Sequence, residues 1–261
     1  MRKDLNIALV QSQLAWENAQ GNFDIFDAHL RAINDADLIV LPEMFSTGFS
    51  MDPARLSESM QGATMQWLTQ KAKEKNCVIT GSFIAEEKGK YYNRLVWMRA
   101  DGTYECYNKR HLFRMAGENN QYTEGDQKLI VALKGWKICP LVCYDLRFPV
   151  WSRNVALQYD ILLYIANWPA VRRHPWKSLL VARAIENQVY VLGLNRVGND
   201  GQQLNYSGDS AVIDPRGNYL AQAKEGAEEI IQLCLKDTYL QECRAAFPVH
   251  LDADDFTLNA Q

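Results

Sequence analysis

Three segments of the chain carry side chains that could do chemistry. In residues 135–149, GWKICPLVCYDLRFP, an apolar run leads into Cys143, then Tyr144-Asp145-Leu146-Arg147, then a segment read as helix. A strand-to-helix turn is where α/β enzymes expose a nucleophile, with nearby backbone N–H groups aimed at a developing oxyanion. A free thiol has a pKa near ~8.5, so it needs a neighbouring cation or base at neutral pH. Taken alone, a cysteine at a strand end is more often a buried small hydrophobe. In residues 38–48, LIVLPEMFSTG, Glu43 follows an apolar run and precedes a glycine-bearing loop. An acid there lies at the C-terminal edge of a sheet, where α/β sites gather; on its own it is more often a helix-start or turn carboxylate. Residues 107–113, YNKRHLF, put Lys109 after a strand and before the apolar pair Leu112-Phe113. It is either a solvated basic turn or a partly desolvated charge facing an anionic intermediate.

These side chains need a scaffold, and the patterning supplies one. Strands are predicted over 6–11, 38–41, 77–82, 161–165, 190–194 and 230–235. Helices are predicted over 22–34, 65–75, 148–157, 176–187 and 236–246, the first from Phe23, Phe26, Leu30 and Ile33 at helical spacing. Three hairpins are predicted: 92–98 with 103–107 about Asp101-Gly102, 129–133 with 136–142 about Lys134-Gly135, and 210–213 with 219–223 about residues 214–217. Strands mixed with hairpins and helices, without a linker or repeat, argue for one layered α/β domain over residues 1–261 with a mixed sheet. On the helix 176–187, Trp176, Leu179, Leu180, Arg183, Ala184 and Asn187 share a face. Arg183 is therefore expected to be structural, paired with a buried carboxylate.

Composition excludes several function classes. The chain has 261 residues, 48% of them hydrophobic, and a net charge of −3. So near neutrality it has no general pull on nucleic acid or an anionic membrane. The short basic clusters Lys109-Arg110-His111 and Arg172-Arg173 read as solvated surface. No run approaches ~20 apolar residues, so no spanning helix is expected. The N-terminal residues have no longer apolar region or small-residue cleavage site, which points to a cytoplasmic protein. The six cysteines are spread out, and no disulfide is expected in that compartment. Cys139 and Cys143 resemble half of a metal site. His29, His111, His174 and His250 are scattered, and no metal is expected.

Taken together, Glu43 in LPE, Lys109 in K-x-H-L-F and Cys143 in CYDLRFP resemble, in that order, the nitrilase superfamily. That superfamily hydrolyses non-peptide C–N bonds with a Glu-Lys-Cys triad on an α-β-β-α sandwich. The likeness extends to Tyr92-Asn93-Arg94, to ARAIENQ at 182–188, and to Gly208-Asp209-Ser210 with DPRG at 214–217, about residues 5–235 in all. It implies an α/β fold with mixed sheets, four layers on dimerisation. LPEMFSTGF, KRHLFRMAGE and VCYDLRFPVWSRN are similar to bacterial omega-amidases, which deamidate 2-oxoglutaramate and 2-oxosuccinamate.

The resemblance implies Glu43 as general base, Cys143 as nucleophile, and Lys109 with the Tyr144 N–H holding the oxyanion. A second site glutamate falls on Glu118 by counting back from Gly125-Asp126, with Glu124 as competitor. Arg147 is implied to face a substrate carboxylate, the alternative being an arginine that only holds the turn through Asp145. Trp168 is implied to fill an aromatic position in the pocket wall. The loop 167–174, NWPAVRRH, departs from animal omega-amidases, and Arg172 and Arg173 are extra charges of unassigned role. The implied partner is a small-molecule amide, with no cofactor, nucleic acid or membrane, and the implied assembly is a homodimer.

Overall fold

A computed structural model describes residues 4–254 and 256–258; the expected domain spans 1–261, and its residues 1–3, 255 and 259–261 lie outside that range. The strands are β1 (Leu5–Gln11), β2 (Leu38–Val40), β3 (Val78–Glu87), β4 (Lys90–Met98), β5 (Tyr104–Asn108), β6 (Val131–Leu133) and β7 (Trp136–Val142). They continue with β8 (Ile161–Ala166), β9 (Tyr190–Asn195), β10 (Val197–Asn199), β11 (Asn205–Ser207), β12 (Ala211–Ile213), β13 (Tyr219–Gln222) and β14 (Glu229–Leu235).

Not one but two mixed six-stranded sheets form, in the orders β14-β1-β2-β3-β4-β5 and β13-β12-β9-β8-β7-β6, with β10 and β11 a separate pair. Each has a parallel centre, β1-β2-β3 or β7-β8-β9, and antiparallel strands outside it. Strand periodicity explains the layering. Leu5, Ile7 and Leu9 of β1 join the core between the sheets, while Ala8 and Val10 face the helices Ala19–Arg31 and Ala63–Lys75. Both faces are covered, so the strands read as continuous apolar runs. The second sheet is covered by the helix Arg173–Asn187 through Trp176, Leu180 and Ala184. Gly193 of β9 allows that approach, since a Cβ there would lie 2.5 Å from Leu180 Cδ1. All four layers thus come from one chain, without a second copy.

Two local expectations differ. The strand expected to stop at 82 runs on to Glu87 and turns at once into β4. Lys88 and Gly89 both have positive φ, 54° and 73°, the conformation of a two-residue hairpin turn. The helix expected over 148–157 is broken. A 3₁₀ turn, Cys143–Arg147, is followed by the one-turn helix Pro149–Ser152 and a 3₁₀ turn, Val155–Leu157. Asn154 causes the break: its side chain bonds the N–H and carbonyl of Tyr159, while its own N–H donates to Asn187 Oδ1. Those tertiary hydrogen bonds outweigh helix propensity.

Candidate active site

Glu43 leaves β2 through a turn that β3 holds. Met44, at φ 44°, donates its N–H to Ser82 Oγ at 2.8 Å, and Phe45 N–H donates to the Ser82 carbonyl. This places the Glu43 carboxylate fully inside the protein. Lys109 follows β5 directly, its N–H donating to the Asn93 carbonyl at 3.0 Å. Its ammonium, also fully buried, donates to Glu43 Oε1 at 2.9 Å and to both oxygens of Glu118 at 3.0 and 2.9 Å. Glu118 is buried, and Glu124 is exposed, so the second glutamate against the lysine is Glu118.

Cys143 is the first residue after β7 and has φ 47°. Left-handed backbone at a β-carbon-bearing residue stores strain that its surroundings must hold. Asp145 does the holding. Its Oδ2 accepts from Val142 N–H at 3.0 Å and Tyr107 Oη at 2.7 Å, and its Oδ1 accepts from His111 N–H at 3.0 Å. His111 Nδ1 lies 2.8 Å from the same Oδ1, and its ring stacks on Phe148 at 3.7 Å. The lysine segment and the cysteine turn are thus fastened to each other through Asp145. Arg147 takes no part in that fastening.

Electrostatics at the centre follow from burial and charge. Burial pushes the Cys143 thiol well up, the Glu43 carboxylate beside it adds to the rise by charge and hydrogen bond, and Lys109 opposes them. Burial thus favours the thiol form of the sulfur, with the Glu43 carboxylate alongside. Burial alone would pull Lys109 down, but Glu118 and Glu43 outweigh it and the ammonium is held more tightly than usual. Burial raises Glu118, with Lys109 opposing and Glu43 adding.

Two residues in the centre carry roles that the sequence did not suggest. Asn93 Nδ2 donates to Glu43 Oε1 at 2.8 Å and to Glu118 Oε1 at 3.3 Å. Asn167 donates its N–H to Glu43 Oε2 at 2.8 Å and its Nδ2 to the Glu43 carbonyl at 2.6 Å. The available signal was an amide side chain within an apolar run, which has to find partners once buried.

A cavity of about 140 Å³ opens above the thiol. Phe49, Phe113, Tyr144, Arg147, Trp168 and Arg172 contribute to its wall. Trp168 is buried, with its N–H held by Asn195 Oδ1 at 2.8 Å, and the Arg147 guanidinium lies 5.2 Å from its ring centroid. Tyr144 packs edge-on against Phe113 at 5.0 Å and Phe148 at 5.2 Å. All the site residues expected from sequence thus gather here, with Arg147 and Trp168 at the wall and Glu43, Lys109 and Glu118 beneath. Arg173 points elsewhere and pairs with Asp209 and Glu225. Arg183 is structural as expected, but its partners are the half-buried Glu186 and the Leu146 carbonyl at 2.7 Å. All six cysteines are free. Among the described residues no helix is long and apolar enough to cross a membrane.

The family model for carbon-nitrogen hydrolase matches residues 6–245. The omega-amidase YafV of Escherichia coli K12 is 47% identical over 254 residues, 97% of this chain and 98% of that protein. A 2-oxoglutaramate amidase of Bacillus subtilis is 34% identical, covering 83% of this chain and 85% of its own. The crystal structure of XC1258 from Xanthomonas campestris, a CN-hydrolase superfamily protein with an arsenic adduct in its active site, superposes with a TM-score of 0.96. It is 43% identical over 98% of this chain and 100% of its own. With the buried glutamate, lysine and cysteine brought to one centre between two sheets, the chain belongs to the carbon–nitrogen hydrolase family, the nitrilase superfamily.

Proposed function

We infer that this protein is an omega-amidase, hydrolysing the terminal amide of a 2-oxo dicarboxylic acid monoamide such as 2-oxoglutaramate to the diacid and ammonia. The observation that carries the reading is the pairing of two features in one cavity: a thiol with a buried base and cation beneath it, and a guanidinium, Arg147, at the wall. The relatives named omega-amidase and 2-oxoglutaramate amidase support the same reading.

Glu43 takes the thiol proton as Cys143 Sγ bonds to the amide carbon. The amide oxygen becomes an oxyanion, met by the Lys109 ammonium and the Tyr144 N–H. Because Lys109 holds its proton so firmly, its part is electrostatic rather than acid–base. The intermediate collapses, the C–N bond breaks, and the nitrogen takes the proton from Glu43 and leaves as ammonia. A thioester remains on Cys143. Glu43 then takes a proton from water, whose oxygen bonds to the same carbon, and collapse releases the acid and returns the proton to sulfur. Glu118 and Asn93 keep Lys109 and Glu43 in register. The carboxylate at the far end of the substrate takes the fork of Arg147, which suits a planar two-oxygen anion, while Trp168 and Tyr144 flank the chain between.

The chemistry asks for no metal or organic cofactor. The reading extends to a single catalytic domain over 1–261, a cytoplasmic setting and a homodimer, supported by the sequence arguments above. The testing experiment is ammonia release from 2-oxoglutaramate, compared with simple nitriles and carbamoyl amino acids. Turnover confined to the nitriles or carbamoyl compounds would replace the omega-amidase reading with another activity of the same family.

A further inference from the structure

We propose that Arg172 is the second arm of a two-guanidinium clamp on the substrate carboxylate, working with Arg147 in the same cavity; this rests on the omega-amidase reading.

The two arginines share one cavity and one indole. Arg147 lies over the Trp168 ring, and Trp168 Nε1 donates to the backbone carbonyl of Arg172 at 2.7 Å. The same side chain therefore supports one guanidinium and anchors the main chain of the other. Arg172 is propped on the Phe113 ring at 5.5 Å, and Phe113 in turn packs on Tyr144, the residue next to the nucleophile. A guanidinium seated on an aromatic face keeps its N–H edge free for an anion. The other contact of Arg172, Nη2 to Met115 Sδ at 3.0 Å, is to a weak acceptor on an exposed residue.

Several other arginines are taken up by acidic side chains, and these two are not. Arg173, next in the chain, is taken by Asp209 and Glu225, Arg94 by Glu87, and Arg99 by Glu105. Among the described residues neither Arg147 nor Arg172 has a carboxylate within ion-pair distance. The one carboxylate at the cavity wall, Asp200, is already engaged: Oδ2 accepts from Tyr206 Oη, and Oδ1 from the N–H groups of Gln202 and Leu204. The cavity wall thus carries two guanidinium groups against one carboxylate, and that carboxylate is ion-paired with neither. A carboxylate offers about four lone-pair sites, and one bidentate guanidinium fills only about two. A second guanidinium completes the set, which a neutral amide cannot use.

The test compares Arg172→Met and Arg172→Lys with the wild-type chain on 2-oxoglutaramate, glutaramate and pentanamide, the last lacking the carboxylate. The Trp168 bond uses the main-chain carbonyl, so it survives both changes. Arg172→Met should raise KM for the two carboxylated amides about 10-fold or more, as for losing one partner of a charged contact, with kcat within about threefold. The kcat/KM for pentanamide should stay within about threefold, and Arg172→Lys should recover part of the loss. Glutarate binding followed by calorimetry, which needs no turnover, should weaken by a similar factor. Equal effects on all three amides, or unchanged glutarate binding, would overturn the clamp. A wild-type enzyme that hydrolyses glutaramate but ignores 2-oxoglutaramate would sink the proposed function, and the Arg172 comparison would still be decided on glutaramate and glutarate.

Discussion

Glu118 takes the Lys109 ammonium with both carboxylate oxygens, at 3.0 and 2.9 Å, from a position nine residues further along the chain. Glu43 accepts from the same ammonium at 2.9 Å, so one cation stands between two buried anions. Neither carboxylate is tolerable at that depth without the lysine.

Lys109→Met keeps the stem and removes the charge. The expected result is a fall in kcat of order ~10²-fold or more, as for loss of an oxyanion donor. Stability should drop too, by about 3–5 kcal/mol in urea titration, because two buried carboxylates lose their counter-charge. A change confined to KM would show that Lys109 only binds substrate.

Cys143→Ala should abolish turnover and leave circular dichroism unchanged, whereas Cys139→Ala should act only through packing. Retention of more than roughly a hundredth of wild-type kcat is incompatible with a covalent nucleophile.

The raised thiol of Cys143 has a consequence for pH. As pH climbs past about 8.5, the unfolded chain releases this proton first and the native protein keeps it. The folded-state pKa lies above the unfolded one, so the stabilisation is complete below that pH and is lost as pH rises. Cys77 and Cys139, both pushed up to about 12 by burial, add to the same slope. Urea midpoints measured from pH 8 to 10 should decline in both proteins, less steeply in Cys143→Ala than in the wild type. The difference should approach about 1.4 kcal/mol per pH unit. Parallel curves would mean that this thiol ionises as freely in the native protein as in the unfolded chain.

Arg147→Met should lower kcat/KM for 2-oxoglutaramate by about 10- to 100-fold while sparing pentanamide, since the neutral amide never used the guanidinium. Equal losses on both substrates would make Arg147 a scaffold residue of the turn.

Light scattering at micromolar concentration should report about twice the 29.9 kDa chain mass. Val150, 51% exposed beside the cysteine turn, is an apolar side chain that a second copy would cover. A clean monomer would refute the dimer.

What could be read from residues alone followed their locality. The hairpins at Asp101-Gly102 and Lys134-Gly135 form as expected because turn chemistry is local. The cysteine turn was legible as an apolar strand ending at Cys143. Residues 148–157 were not, because Asn154 and its bonds to Tyr159 and Asn187 depend on contacts made after the chain folds back. For the same reason the link from Asp145 to His111, 34 residues apart, left no mark in any window of sequence. Asn93 could have been suspected as a polar side chain within the strand 92–98, yet nothing local named Glu43 and Glu118 as its partners.

The pairing of β14 with β1 joins residues 229–235 to residues 5–11 in one antiparallel ladder. During synthesis, Glu43, Lys109, Glu118 and Cys143 all leave the ribosome while the first sheet still lacks an edge strand. The central strand β1 then has one unsatisfied side, and the floor beneath the thiol is not yet fastened. Completion of the first sheet waits for a segment far downstream of β1 in the chain, and such distant closure is slow. Until residues 229–235 have joined β1, the chain carries Glu43, Lys109, Glu118 and Cys143 without the completed sheet that supports them.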